Sequence, residues 1–494
     1  MNEPPRADRR VHPGTIPLRF LKEAPSTLLG IPAGYAVLSR PGIAGVLLFM
    51  LIVAGIAIFF QWLSWHRFRY GIGARELVIE SGILSRTRRS IPFERIQDVD
   101  IEQGPLARLF GLARLKIQTG GSAADEGVLD SVSVAEAQRL RDALRVARRG
   151  EAPLPESDER EALPLFAMPV ERVLMLGLFN FSMVYLAGIF ALLQAFDSWL
   201  PFDIYDPGRW IGIVDDRFSG RLTVGAIAAV ALLALLLGVI AGVARTLSRD
   251  FGFRLRLEPE GLRRQRGLFT RTDVLIPPAR VELALLDTGP IRRKLGWWAL
   301  SFQTLGAGSG EVQAGIQSVA PLARHDEIDG IIAVLPGYHL PEADDIRMVS
   351  HRRVSRRLLV EVVPLLIVAG ALALFRIEAL WALPFIAAFG LFTLIERRFH
   401  RFGLGQGFLF VQRGIWRQRQ WVIPAARFQS LGLSRSWLQR RLGLMTLSID
   451  TAGAPPLGGA QIADLDVAEG RALADQLLEA RRQRVLDSER KDGN

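Results

Sequence analysis

Arginine is the side chain that could do chemistry in this sequence, and its placement recurs. Arg86, Arg88 and Arg89 crowd one short segment, Arg263, Arg264, Arg266 and Arg271 a second, and Arg413, Arg417 and Arg419 a third. A planar guanidinium fork matches the oxygens of a phosphate or carboxylate two at a time. Such clusters either hold anionic groups or are a basic flank beside a membrane with no specific ligand. More arginines follow each cluster at fixed offsets. Ile-Pro-x-x-Arg occurs at Pro92 with Arg95, at Pro277 with Arg280 and at Pro424 with Arg427. An Arg then stands three residues before a Gly, at Arg108 and Gly111, Arg293 and Gly296, and Arg440 and Gly443. Each of these signature arginines either contacts an anion or fixes a corner between strands. The structural reading carries more weight, because a residue kept in every copy of a repeat serves the copy.

Other chemistries are excluded or unsupported. With no cysteine, the chain has no disulfide, thiolate metal site or cysteine nucleophile. Its histidines, His12, His66, His325, His339, His351 and His400, are scattered, with no i, i+4 pair to hold a metal. No Gly-x-Ser-x-Gly elbow occurs. The glycine-rich stretches at Gly306–Gly310 and at Gly403, Gly405 and Gly407 lack the lysine of a phosphate loop and read as hairpin turns. Trp297, Trp298 and Trp437 suit an interface, but core packing is the preferred use. No catalytic, cofactor or metal site is expected, and the protein reads as non-enzymatic.

The elements that must position the arginines come in three copies. Residues 91–111, 276–296 and 423–443 align without a gap, and a Gly nine residues before each Ile (Gly82, Gly267, Gly414) and a Thr eight after each last Gly (Thr119, Thr304, Thr451) extend the register. A repeat of this kind is one structural unit written three times. Within a unit, short alternating segments such as Glu76–Glu80 and Leu115–Thr119 read as half-buried strands. Each unit ends in an amphipathic helix, as at Val134–Arg148.

Apolar, charge-free runs precede each unit. They are Ala24–Ser39, Pro41–Trp65, Val173–Phe196, Leu222–Val243, Val362–Phe375 and Ala379–Ile395. The run from Leu222 covers about 33 Å as a helix against a bilayer core of about 30 Å; that from Ala24 covers only about 24 Å. Together they predict an α+β membrane protein in which three transmembrane helical hairpins, about six spans, alternate with three β-barrel modules, each closed by a C-terminal helix. The expected order is a basic N-terminus (1–22), hairpin (23–65), module (66–150), linker (151–171), hairpin (172–245), module (246–336), basic linker (337–357), hairpin (358–396), module (397–482) and charged tail (483–494). Hairpins return the chain to one side. The basic flanks Lys22, Arg67, Arg69, Arg245, Arg397 and Arg398, set against the acidic loop from Asp197 to Asp216, put modules and termini in the cytoplasm.

Residues 67–119 resemble the bacterial pleckstrin-homology-like domain of membrane proteins of the YdbS/YdbT type, and Val11–Pro25 is similar to the entry into the first hairpin of the larger, three-module branch. The second and third copies depart where the first has Asp98 and Asp100, with Leu283 and Leu285, then Ser430 and Gly432. The resemblance implies modules of seven strands closed by a helix, in the bacterial inner membrane, with no established enzymatic activity and no cofactor. It also implies a smaller single-module relative as partner.

The net charge of +11 and pI near 10.7 call for an anionic neighbour. In a chain with apolar runs that neighbour is an acidic membrane face and not nucleic acid. The reading is a membrane scaffold or binding protein whose arginine clusters, Arg86 to Arg89, Arg263 to Arg271 and Arg413 to Arg419, meet anionic lipid headgroups or a protein partner. The rival is a transport or export component with regulatory modules, but the runs hold no ionisable residue, and Asn180 is thin support for a path.

Overall fold

The computed structural model describes residues 8–20, 43–73, 76–83, 85–119, 127–149, 164–180, 221–304, 315–335, 338–340, 345–405, 407–452 and 459–492. The run Ala24–Ser39, the acidic loop from Asp197 and the glycines of 306–310 lie outside them. The chain divides into two units, residues 1–166, 255–264 and 272–494, and residues 167–254 and 265–271.

One order of elements is repeated. The first copy has helix α1 (Ile43–Arg67), strands β1 (Arg69–Ile72), β2 (Glu76–Ser81), β3 (Thr87–Pro92) and β4 (Ile96–Gln103), short helix α2 (Pro105–Leu109), β5 (Leu112–Thr119), β6 (Gly127–Ser133) and closing helix α3 (Val134–Arg149). The second has β7 (Phe166–Ala167), α4 (Val170–Phe179), α5 (Arg221–Asp250), β8 (Arg254–Glu258), β9 (Gly261–Arg266), β10 (Arg271–Ile276), β11 (Val281–Thr288), α6 (Pro290–Lys294), β12 (Trp298–Thr304), β13 (Ile316–Ala323) and α7 (His325–Ala333). The third has β14 (Arg347–Met348), α8 (Arg352–Arg357), α9 (Val363–Ala373), α10 (Leu383–Arg397), β15 (Arg401–Gly405), β16 (Phe408–Arg413), β17 (Gln418–Pro424), β18 (Phe428–Ser434), α11 (Trp437–Leu442), β19 (Leu444–Thr451), β20 (Ala460–Asp466) and α12 (Val467–Asp492).

The repeated glycines and prolines are explained by backbone geometry. Gly82, Gly267 and Gly414 turn equivalent hairpins at φ +112°, +115° and +99°. A Cβ there would lie 1.9, 1.8 and 2.1 Å from a carbonyl oxygen across the turn. Gly111, Gly296 and Gly443 follow the short helices in the left-handed region, at φ +63°, +74° and +68°, as a helix C-terminus prefers. Pro92 ends β3, Pro277 follows β10, and each leads into one turn of 3-10 helix. Side chains alternate as a pleat requires: Ala113, Leu115 and Ile117 of β5 enter the first core, as Met445, Leu447 and Ile449 of β19 enter the third.

A short strand precedes each helical excursion and pairs with the strand that follows it. Arg9 and Tyr70 exchange backbone hydrogen bonds of 2.9 Å, Met168 N donates to Phe253 O at 3.0 Å, and Val349 N donates to His400 O at 3.3 Å. The apolar helices are thus loops between the first and second strands of a module, with both ends stapled together.

Two expectations are corrected. Among the described residues one helical stretch, Ile377–Arg397, is long and apolar enough to cross a membrane, so three hairpins giving six spans is not the architecture found. In the third copy the reason is charge: the helix runs on from α8 through a π-helical turn (Leu358–Val362) into α9, but Arg356, Arg357 and Glu361 leave only Val362 to Ala373 of it free of charge, about 18 Å against a core of about 30 Å. The modules are also not barrels closed on themselves. The strand order β6-β5-β4-β10-β9-β8-β7 makes one seven-stranded sheet, and β13-β12-β11-β17-β16-β15-β14 makes another. The fourth full strand of one module pairs with the third of the next. Three-stranded sheets, β1-β2-β3 and β18-β19-β20, remain at the two ends of the array.

In the second unit α4 and α5 pack closely, with Gly177 against Val243. Asn180, just after α4, donates to Thr246 Oγ1 at 3.2 Å, which is a helix-packing bond.

Candidate functional site

Helix α1 has no charge between Ile43 and Trp65 and presents Leu51, Ile52, Ile56, Phe59, Phe60 and Trp62 outward. Its last turns form an aromatic ladder. Phe59 stacks on Trp62, and Trp62 on His66 with ring centroids 5.4 Å apart. Trp65 Nε1 donates to Val11 O at 3.0 Å, and Arg10 lies over the same ring, which ties the helix end to the module. An apolar helix with aromatics where its charge begins is the form of a segment that meets the membrane interface.

A cavity of about 580 Å³ opens at that end, lined by His66, Arg67, Arg69, Glu80, Ser81, Arg86, Thr87 and Arg88. Three elements build it: the terminus of α1 with β1, the end of β2 and the start of β3, the last two joined by the hairpin at Gly82. Four arginines and one glutamate leave a net charge of 4 − 1 = +3 on its walls. Arg88 Nε lies 3.7 Å from Glu80 Oε1, with both side chains well exposed, so the pair neutralises little in water. Its size falls within the range of about 300–1,000 Å³ usual for small-molecule sites. A cationic concavity next to an exposed apolar helix suits the phosphate of a headgroup whose tails lie along that helix.

Of the sequence-predicted arginines, Arg86 and Arg88 meet in this cavity, and Arg89 follows on the same exposed strand. Arg263, Arg264 and Arg266 are buried. Arg263 is bidentate to Asp273, at 2.8 and 2.6 Å, and also reaches Glu258 at 3.0 Å. Burial works against its charge, but the two carboxylates outweigh it and raise its pKa. Arg264 donates to Ser318 O at 2.8 Å, and Arg266 to Asp250 at 2.8 Å. These three therefore serve inside the protein, and Arg271 is the exposed member of that cluster.

Arg417 Nε lies 2.5 Å and Arg419 Nε 3.6 Å from Asp287 Oδ2, across the β11–β17 pairing. Burial and the neighbouring Arg417 lower the pKa of Arg419. Arg413 is exposed at the end of β16.

Two signature arginines, Arg293 of the second module and Arg427 of the third, hold a joint. Arg293 donates to Gln418 Oε1 at 2.8 Å and covers the ring of Phe399 at 4.7 Å. Arg427 lies 3.6 Å from Glu282. Arg95 and Arg440 are exposed. Trp297 and Trp298 are buried, whereas Trp437 is 65% exposed at the start of α11, so the core reading fits the first two and not the third. Gly403 and Gly405 lie within β15 and only Gly407, at φ +81°, is a turn glycine. Among the described residues no group of histidine and carboxylates is placed to hold a metal.

Sequence reasoning treated Arg67 and Arg69 as a topological flank and passed over His66, Glu80 and Ser81. The usable signal was the direct continuation of the apolar helix into a strand, which brings the flank beside the arginines of the next hairpin.

The family model described as bacterial PH domain matches residues 24–148, 208–353 and 357–481. The UPF0699 transmembrane protein YdbT of Bacillus subtilis (strain 168) is 27% identical over 332 residues, which is 64% of this chain and 63% of that protein. The match thus spans less than two thirds of that relative's length. The UPF0699 transmembrane protein YdbS of the same organism is 33% identical over 128 residues, 21% of this chain and 79% of that protein. No solved structure matches.

Proposed function

The chain belongs to the bacterial PH domain family, and from that membership we infer that it acts as a non-enzymatic membrane scaffold whose modules hold anionic lipid headgroups. Its similarity to two transmembrane proteins makes it a membrane protein carrying three PH modules. The observation that carries the finer reading is the cavity at the end of α1, where Arg67, Arg69, Arg86 and Arg88 converge beside an exposed apolar helix. The stapled ends of each helical excursion support a common face for the modules, since each excursion starts and ends at one place. The basic flanks favour the cytoplasmic side for that face. Several modules fixed to one membrane raise the effective concentration for headgroups and for a partner, such as a single-module relative.

The test is a titration of the full-length protein in neutral detergent with short-chain phosphatidylglycerol against short-chain phosphatidylcholine. The reading requires tighter binding of the anionic lipid, lost in a variant with Arg67, Arg69, Arg86 and Arg88 changed to Ser. Equal affinity for the two lipids, or an unchanged preference in the variant, rejects it.

A further inference from the structure

Twice in this array a fourth full strand is capped by the third strand of the next module: β4 by β10, and β11 by β17. β18 is the fourth full strand of the last module, and among the described residues no strand pairs with its outer side. Its exposure follows. β11 is buried at every residue except the half-buried Asp287, whereas β18 is open from Gln429 to Ser434 apart from the half-buried Leu431. Sheet edges are normally blunted by charge, proline or a bulge. The edge β3 carries Arg88 and Arg89, but β18 has neither charge nor proline, and its one register irregularity, between Phe428 and Ser430, recurs in β4 and β11, which both accept a strand.

We propose that the outer edge of β18 is a docking site for the third strand of a PH-like module on a different protein chain, added antiparallel as β17 is added to β11. The internal joint supplies the register. Ala284, Leu285, Leu286 and Asp287 face Val422, Trp421, Gln420 and Arg419. The repeat alignment puts Leu431, Gly432, Leu433 and Ser434 in those places. Main-chain bonds give such an added strand its affinity, and alternate side chains give its specificity.

Charge decides the occupant. At the internal joint Asp287 receives Arg417 and Arg419, but β18 has Ser434 in the place of Asp287, followed by Arg435. The third strand of a second copy, β3, would bring Arg89 and Arg88 against Gly432 and Leu433 and set Arg86 opposite Arg435, with no carboxylate on β18 to receive them. The partner strand is therefore one with apolar residues in the places of Trp421 and Val422 and without an arginine cluster.

The cysteine-free sequence permits a register-specific test on the full-length protein. Gly432→Cys is accommodated, because the nearest atom to an added Cβ is Ser448 Cβ at 3.6 Å. The probe is a synthetic peptide of residues 417–425 carrying Arg417→Ser, Arg419→Ser and Trp421→Cys, which removes the arginine cluster and keeps the apolar Val422 and Ile423. Under mild oxidation its disulfide should form about tenfold faster with Gly432→Cys than with Leu433→Cys, a preference of about 1.4 kcal/mol. It should also outpace a β3 peptide of residues 86–93 carrying Arg89→Cys. Equal rates at the two positions, or no disulfide at either, overturn the proposal. In a full-length chain bearing both Gly432→Cys and Arg89→Cys, a disulfide between them, within one chain or between copies, also overturns it, because the edge would then belong to this protein's own β3.

Discussion

Leu285 on β11 stands directly opposite Trp421 on β17, and both side chains belong to the core of the third module although Leu285 is part of the second. The joint between modules is therefore hydrophobic as well as hydrogen-bonded. Removing a buried leucine side chain costs about 2–5 kcal/mol. Leu285→Ala should lower stability by about that amount, read as the midpoint of denaturant unfolding of the full-length protein. Leu285→Asp, which restores the residue type of the first module, should cost more, because it sets a carboxylate among apolar side chains. Unfolding of an unchanged third module in Leu285→Ala would refute the shared core.

Much of this architecture is legible from local chemistry. The glycines at 82, 267 and 414, the prolines at the strand corners and the closing helices follow from backbone rules that act within a few residues. The joint is not local: β11 and β17 are brought together across more than a hundred residues of intervening chain. Nor do the substitutions at the joint reveal it: β4, with Asp98 and Asp100, is joined to β10 just as β11, with Leu283 and Leu285, is joined to β17. The internal ion pairs were hidden for a different reason. Nothing in the spacing of Arg263, Arg264 and Arg266 separates an arginine that meets solvent from one that meets Asp273 or Asp250. Apolar length alone does not reveal that the helical excursions are stapled, because the segments that staple their ends are two residues or fewer and too short to show a period.

The cavity and the buried cluster should respond oppositely to substitution. A basic residue close to an anionic surface contributes about 1 kcal/mol, so Arg67→Ser and Arg86→Ser should each weaken binding of anionic lipid roughly fivefold, with less effect at high salt. Neither should shift the unfolding midpoint by much, since both side chains are exposed. Arg263→Ala should do the reverse. It takes the bidentate partner from Asp273, which keeps Arg141 at 3.3 Å, and the 3.0 Å contact from Glu258, which costs about 3 kcal/mol, while lipid affinity of the folded protein holds. A lipid defect in Arg263→Ala without a stability defect would show that the clusters were wrongly separated.

The two classes of repeated glycine should differ in their tolerance of a side chain. Gly267→Ala places a Cβ 1.8 Å from Thr270 O at φ +115°, so the hairpin must rebuild and the loss should exceed about 2 kcal/mol. Gly296→Ala meets nothing within 4 Å and bears only the cost of a left-handed alanine, about 1–2 kcal/mol. Thermal unfolding of both variants measures the difference; equal losses would mean that the φ value alone matters.

His400 gives the third module an acid sensitivity with a definite sign. It is 1% exposed, and burial, with the charges of Arg353, Arg413 and Arg357, pushes its pKa down to about 3 from 6.5. The folded protein thus keeps this imidazole neutral well below the pH at which the unfolded chain protonates it. Stability from this group is complete above pH ~6.5 and falls as the solution is acidified toward pH ~3, because the unfolded state gains the proton first. Between pH 7 and pH 5 the loss should be about 2 kcal/mol, at 1.36 kcal/mol per pH unit below the unfolded pKa. His400→Leu should flatten that slope, since leucine fills a similar volume and takes no proton. Arg353, beside it, is held by Asp464 at 2.9 Å, so it remains charged throughout this window, its pKa lowered by burial only to about 10. Denaturant midpoints measured from pH 7.5 to pH 5 in both proteins decide the matter: parallel curves would locate the acid sensitivity in another group, and converging curves assign it to His400.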